Sequence, residues 1–236
     1  MINVEYNNWN KWYDKVLADF NYSQEDDERS AILINSLIDE KYSPDIHGTD
    51  KCIIFGAGPS LKKHLALIKE SLDMESHIII AADGATTALI EEQIIPDIIV
   101  TDLDGKMDDI IYSNQHGSTL YVHAHGDNMD KIKRYIGRLE HVIPTTQSNP
   151  VGIVENYGGF TDGDRAIHIA VYALMMKKII LAGMDFGEYT TRYSRPDNKK
   201  MIEKADNIKR LKLEYAQRIT DDLIRNNPDV EFIFLK

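Results

Sequence analysis

Cysteine is nearly absent from this chain: Cys52 stands alone among 236 residues. One thiol excludes a disulfide framework and a multi-cysteine zinc site, and it fits a reducing, cytoplasmic setting. Long hydrophobic runs are also missing. None approaches the roughly 20 apolar residues of a membrane span, so no membrane partner is expected. The opening residues, MINVEYNNWNKWYDK, have neither a basic start nor an apolar stretch, so no secretory leader is expected. Bases are scarce relative to acids, 27 against 38, which gives a formal charge of −11. Nucleic-acid binders usually carry the opposite sign, so that class of partner is disfavoured. A polyanionic ligand would need metal ions or a local group of bases to reach its site.

What is present predicts one large domain, with or without an appendage, long enough to bury a core unaided. Residues 1–48 read as a helical N-terminal extension. From Asn7 to Phe20 the residues Trp9, Trp12, Tyr13, Val16, Leu17 and Phe20 recur at helical spacing. Ser23 then resembles an N-cap, with Asp26 three residues on, ahead of a second amphipathic stretch through Ala31, Leu33, Ile34, Leu37 and Ile38. That stretch stops at Pro44. The aromatic face is expected to pack on the main domain or on a partner subunit, which makes a homodimer the expected assembly.

Residues 49–236 change pattern. Short apolar runs at Cys52–Phe55, Ile78–Ala82, Ile98–Thr101, Thr119–His123, His141–Pro144, Ile179–Ala182 and Glu231–Leu235 predict strands. Helical patterns lie between most of them, over Leu61–Leu72, Ala85–Glu92, Met107–Asn114, Met129–Leu139, Asp164–Met176 and Asn198–Arg225. Runs such as HIIIAA and KIILAG do not alternate, as strands covered on both faces should not. The fold class is therefore α/β, a doubly wound and mainly parallel sheet flanked by helices. Such sheets bind ligands beyond the carboxyl ends of their strands, and unusual polar residues should gather there.

They do. The first strand runs into Gly56-Ala57-Gly58-Pro59-Ser60-Leu61, a turn suited to phosphate at a helix N-terminus, or a plain strand-to-helix turn. Leu61 stands where a dinucleotide fingerprint needs Gly or Ala. The second strand gives Asp83-Gly84, where the acid either holds a ribose hydroxyl or caps the next helix. The third gives Asp102-Leu103-Asp104. In extended backbone both acids project to one side and Leu103 to the other, a pair suited to Mg²⁺ or to a solvated turn. The fourth gives His123-Ala124-His125-Gly126-Asp127, in which the histidines face substrate or support the fold, and Asp127 caps a helix or joins the site. The loop Gly158-Gly159-Phe160-Thr161-Asp162-Gly163-Asp164-Arg165 pairs adjacent glycines with acids that open a helix. It would approach a ligand closely, with Thr161, Asp162 and free N–H groups as contacts. Arg192, Arg195, Lys199 and Lys200 form a basic group that reads as the counter-charge of a triphosphate or as a solvated surface.

Taken together, GAGPSL, ADGA, PDIIVTDLDG, VHAHGDN and YGGFTDGDRA resemble the archaeal 6-hydroxymethyl-7,8-dihydropterin pyrophosphokinases from about residue 50 onward. More distantly they resemble thiamin pyrophosphokinases, from which Thr101, Gly105 and the lack of a histidine after GGFTDGDR depart. The resemblance implies Mg²⁺-dependent transfer of pyrophosphate from ATP to a reduced pterin alcohol, releasing AMP, in folate or methanopterin-type cofactor synthesis. It implies Asp102, Asp104 and Asp127 as metal-binding and catalytic acids, with Asp127 or His125 accepting the hydroxyl proton. Gly56, Gly58, Ser60, Asp83, Gly84, Arg192 and Arg195 would meet ATP. Gly158, Gly159, Thr161, Asp162, Asp164 and His123 would shape the pterin pocket. A glycosyltransferase of the motility-associated flagellin type, and a binding-only α/β module, are the competing expectations.

Overall fold

A computed structural model describes residues 9–44 and 48–236; Asn7 and Asn8, where the spacing predicts the first helix to begin, lie outside them. The strands are β1 (Lys51–Phe55), β2 (Ile78–Ala82), β3 (Ile98–Thr101), β4 (Thr119–Ala124), β5 (Val142–Thr146), β6 (Lys178–Ala182), β7 (Tyr189–Thr191), β8 (Ile202–Lys204) and β9 (Glu231–Phe234). Seven form one sheet in the order β5-β4-β3-β2-β1-β6-β9. Every pairing in it is parallel. The unalternated apolar runs require this, because both faces of each inner strand are covered. Pro144 stands inside β5, which tolerates it as an edge strand, where a missing N–H can face away from the ladder.

The helices are α1 (Trp9–Phe20), α2 (Gln24–Leu37), α3 (Leu61–Ser71), α4 (Ala85–Glu91), α5 (Met107–Gln115), α6 (Met129–Tyr135), α7 (Asp162–Tyr172) and α8 (Asn207–Asn226). On one face of the sheet, Ile53, Phe55, Ile99, Leu120 and Val122 pack against Leu61, Leu65, Ala88, Leu89, Ile110 and Ile132 of α3 to α6. Ala31 and Ile34 of α2 belong to the same core. On the other face, Cys52, Ile54, Ile80, Val100 and Ile179 meet Ala166, Ile167, Ile169 and Ala170 of α7 and Leu223 of α8. Each large side chain so buried contributes roughly 1.5–3 kcal/mol. The aromatic face of α1 packs within the chain: Trp9, Tyr13 and Val16 join Phe160, Tyr215 and Ile219. No helix among the described residues is long and apolar enough to cross a membrane.

The chain steps outward from β1 to β5, then crosses back through α7 to place β6 on the other side of β1. The switch point of the sheet is therefore the crevice between β1 and β6. One predicted element is corrected here. The long helix begins at Asn207 rather than Asn198, because 198–204 belongs to an antiparallel hairpin in which β8 pairs with β7. Asp206 supplies the N-cap, accepting the Lys209 N–H at 2.8 Å. β8, three residues long and exposed or half-buried throughout, leaves no apolar pattern to read.

The hairpin closes over the strand ends. Thr191 Oγ1 donates to the Ala57 carbonyl at 2.6 Å, and the Tyr193 carbonyl lies where a Cβ on Gly84 would be. The obstacle is backbone, so Gly84→Ala is expected to displace the hairpin. Thermal unfolding should fall by several degrees, at about 2–4 °C per kcal/mol for a chain of this size. An unchanged transition temperature would show that the hairpin yields freely.

Candidate functional site

Four carboxylates converge beyond the carboxyl ends of β2 and β3. One ligand oxygen from each of Asp83, Asp102, Asp104 and Asp162 lies within 4.8 Å of the others. Local backbone chemistry explains the convergence. β3 ends at Thr101, whose hydroxyl donates to Asp83 Oδ1 at 2.7 Å and accepts the Leu103 N–H at 2.8 Å. Leu103 adopts φ +66 and is buried in the core. The predicted outcome holds, acids into the cleft and leucine into the core, but a left-handed turn produces it rather than extended alternation. Gly105 leaves room beside Asp83: a Cβ there would sit 2.7 Å from Asp83 Oδ1. Asp162 arrives from the opposite side, in the first turn of α7.

His125 donates Nε2–H to Asp102 Oδ2 at 3.2 Å, while its Nδ1 accepts the Asp127 N–H at 3.3 Å. Both ring nitrogens are thus engaged, and the imidazole fixes Asp102. Burial would raise the pKa of Asp102, but its hydrogen bond and charge interaction with His125 reverse this and hold it well below the usual carboxylate range. Its second oxygen, Oδ1, is buried without a partner among the described residues. Burial raises the other three acids, and negative neighbours add to the effect: Asp162 and Asp102 on Asp83, and Asp102 on both Asp104 and Asp162. Arg165, itself buried, donates to Asp162 Oδ1 at 2.9 Å and to the Phe160 carbonyl at 3.0 Å.

An all-oxygen donor set with an orphaned buried oxygen suits a hard divalent cation such as Mg²⁺. Asp83, Asp102, Asp104 and Asp162 are the residues that could hold it. They line a cleft of about 210 Å³ that also reaches Gly56–Pro59, Thr161, Met184–Phe186 and Ser194. Its cationic lining residues are Lys209 and Lys212 of α8 and Arg165, which is paired with Asp162. Burial lowers the pKa of Lys209 and the charge of Asp162 opposes this, while Lys212 Nζ lies 5.5 Å from the Tyr22 ring centroid and 5.7 Å from that of Phe160.

Several sequence candidates sit elsewhere. Asp127 is exposed on a 3₁₀ turn and is not brought to the cluster. His123 is buried, bonded through Nδ1 to Thr145 Oγ1 at 3.1 Å, and burial depresses its pKa. Asp164 faces inward and locks the loop before α7, accepting from Phe160 N–H at 2.6 Å and Thr161 N–H at 2.7 Å. Gly158 and Gly159, at φ +82 and +92, make room for protein rather than for the cleft: Cβ atoms there would meet His168 Nδ1 at 2.8 Å and Arg165 Cα at 2.5 Å. Arg195 pairs with Asp206 at 2.5 Å, and Arg192 donates to the carbonyls of Asn198 and Lys199. Ser60 is turned to Asp185, described below.

The N-terminal helices reach the site. Asp27 of α2, buried, accepts from Tyr13 Oη, Gln147 Nε2 and the Gly126 N–H at 2.7, 2.7 and 2.8 Å. Gln147 lines the cleft, and Gly126 adjoins His125.

Comparison with known proteins converges on one family. A family model described as "6-hydroxymethylpterin diphosphokinase MptE-like" matches residues 21–191. A protein named 6-hydroxymethyl-7,8-dihydropterin pyrophosphokinase from Methanothermobacter thermautotrophicus is 51% identical over 222 residues, covering 92% of this chain and 94% of the relative. One of the same name from Methanocaldococcus jannaschii is 43% identical, covering 95% and 98%. Among solved structures, the MAf glycosyltransferase from Magnetospirillum magneticum AMB-1 superposes with a TM-score of 0.52 at 16% identity. The match covers 91% of this chain and 38% of that one, a likeness of fold alone. By the extent of the family match and the identity of these relatives, the chain belongs to the MptE-like family of 6-hydroxymethylpterin diphosphokinases.

Proposed function

We propose that this protein transfers a diphosphoryl group from ATP to the hydroxymethyl oxygen of 6-hydroxymethyl-7,8-dihydropterin, with Mg²⁺ at the four-carboxylate cluster. The observation that carries this reading is the convergence of Asp83, Asp102, Asp104 and Asp162, with Asp102 Oδ1 buried and unpartnered, in a cleft at the switch point of the sheet. The names of the relatives support the choice of acceptor.

In the reaction the pterin hydroxyl oxygen bonds to the β-phosphorus, the bond from that phosphorus to the oxygen bridging it to the α-phosphate breaks, and AMP departs with the charge. A bound Mg²⁺ would supply Lewis-acid stabilisation of the phosphate oxygens. The chain itself aligns the partners and neutralises charge. His125 holds Asp102 in one orientation, Thr101 holds Asp83, and the pairing of Arg165 with Asp162 fixes the acid nearest α7. Lys209 and Lys212 attract the phosphates from the α8 side, which answers the problem of an acidic chain and a polyanion. Asp104 is the half-exposed member of the four; a carboxylate oxygen of it left free of the cation would take the hydroxyl proton. The product diphosphate then serves a folate or methanopterin-type route.

The test mixes purified protein with Mg²⁺, ATP and the hydroxymethyl pterin and identifies the nucleotide formed. AMP in equal amount to the pterin diphosphate is expected. ADP as product, or ATP untouched while the pterin is present, sinks the assignment.

A further inference from the structure

The loop that follows β6, Gly183-Met184-Asp185-Phe186, lines the same cleft and has no part in the proposed chemistry. The glycine-rich turn after β1 is built around it. A Cβ on Gly58 would collide with Asp185 Oδ2, and one on Gly56 would lie 2.6 Å from Met184 Sδ. Asp185 Oδ2 accepts the Ser60 N–H at 3.0 Å and the Ser60 hydroxyl at 2.9 Å. The base of the loop is pinned as well: Gly58 N–H donates to the Gly183 carbonyl at 2.9 Å, and Gly183 N–H donates to His64 Nδ1 at 3.1 Å. The N-terminus of α3, predicted to hold phosphate, is occupied by a carboxylate of the chain itself.

That carboxylate is exposed to the cleft, and no lysine or arginine among the described residues pairs with it. An ionised carboxylate has about four acceptor sites and no donor; Ser60 takes two and two remain. A polyanion is repelled from such a point, whereas a neutral ring with two adjacent N–H donors is drawn to it. The pterin ring presents such an edge, its N3–H beside its 2-amino group. The corresponding edge of adenine pairs a donor with an acceptor. Met184 and Phe186 flank Asp185 in the cleft and offer soft apolar surface to a planar ring.

We infer that Asp185 is the specificity residue for the pterin, accepting hydrogen bonds from its N3–H and 2-amino groups in the crevice between β1 and β6. This rests on the proposed reaction, and it fixes where in the cleft each substrate lies. The pterin occupies the β1–β6 crevice, and the phosphates lie toward the four acids and α8.

The test is steady-state kinetics and direct pterin binding, by quenching of pterin fluorescence, on the full chain and on Asp185→Asn. The amide turns a donor toward a donor edge. The KM and Kd for the pterin are expected to rise about 10- to 100-fold, the range for losing hydrogen bonds to a charged group, while the KM for ATP changes less than about threefold. A pterin analogue lacking the 2-amino group keeps its N3–H bond, so it should bind the wild type with a smaller loss than Asp185→Asn shows for the pterin, and the two changes combined should cost less than the product of their separate effects. Asp185→Glu, which keeps the charge, and Ser60→Ala, which keeps the carboxylate, should retain most of the pterin affinity and show that the loop still folds. A rise confined to the KM for ATP would assign Asp185 to the nucleotide, for example to its ribose hydroxyls, and overturn the inference, as would unchanged constants for both substrates. The wild-type AMP assay reports separately on the reaction. A wild type that binds the pterin without turning it over loses the reaction, and the Asp185→Asn binding shift still decides the residue. A wild type that neither binds nor converts the pterin overturns both.

Discussion

Asp102→Ala is expected to lower AMP release from ATP and the hydroxymethyl pterin by at least about 10³-fold. Three features set Asp102 apart from its neighbours. Its Oδ1 is the buried oxygen of the cluster without a partner among the described residues. His125 orients its other oxygen and keeps it ionised where burial alone would favour the neutral acid. The Leu103 turn holds it beside Asp104 with a fixed backbone. On the proposed reading the substitution removes a ligand that is already charged and aimed, and it leaves His125 with an unanswered donor. The same variant should lose most of the thermal stabilisation that added Mg²⁺ gives the wild type, since a ligand that binds the folded state raises its stability by mass action. Turnover is read from AMP at saturating Mg²⁺, and stability from the shift in unfolding temperature. Turnover within about tenfold of wild type at saturating Mg²⁺ would remove Asp102 from the site.

The legible parts of this protein are those where one physical requirement governs a whole segment. HIIIAA and KIILAG have to be strands covered on both faces, and the alternation of such runs with amphipathic stretches has to give a parallel sheet. The rule that ligand groups gather at strand ends finds Asp83, Asp102 and Asp104. Applied equally to β6 it also finds Asp185, two residues past a Gly that takes φ +67. The parts that are not legible depend on which tertiary partner wins. Gly56 and Gly58 have the spacing of a phosphate turn, but the close approach they permit is that of Met184 and Asp185. Gly158 and Gly159 accommodate His168 and Arg165 in the same way. Asp127 and Asp162 each open a helical turn, and no local pattern reveals that α7, crossing from β5 to β6, carries Asp162 over the cluster while Asp127 stays at the surface. The four bases at 192, 195, 199 and 200 lie on a hairpin too short and too exposed to show a pattern. Two of the cations that line the cleft, Lys209 and Lys212, stand three residues apart on α8, and the start of that helix has to be known before their side can be.

Asp83→Asn is expected to stabilise the metal-free protein at neutral pH while weakening its response to Mg²⁺. Asp83 is buried, with φ +34, and accepts the Thr101 hydroxyl on Oδ1. Asparagine tolerates the left-handed region as well as aspartate does, and its amide oxygen can accept the same hydrogen bond. The substitution therefore changes charge with little change in shape. Burial, followed by the negative charges of Asp162 and Asp102, raises the folded-state pKa of Asp83 well above its ordinary value. The folded protein then binds this proton more tightly than the unfolded chain does. The contribution of Asp83 to stability is greatest below the unfolded pKa, about 3.9, and is lost as the pH rises from there toward neutrality. The amide does not ionise, so the variant escapes that loss. Its unfolding temperature without metal should exceed that of the wild type at pH 7, by about 2–4 °C for each kcal/mol of relieved repulsion, and the gap should close as the pH falls to about 4. Magnesium acts in the opposite sense. If bound at the cluster as proposed, it relieves the repulsion in the wild type and meets one charge fewer in the variant, so the wild type is expected to gain more on its addition. Parallel unfolding-temperature curves from pH 4 to 7, or a variant less stable at pH 7 than at pH 4 relative to wild type, would show that the four acids do not share one repulsive field. The stability that the metal-free fold gives up at neutral pH is then the measure of how strongly the site is prepared for a cation.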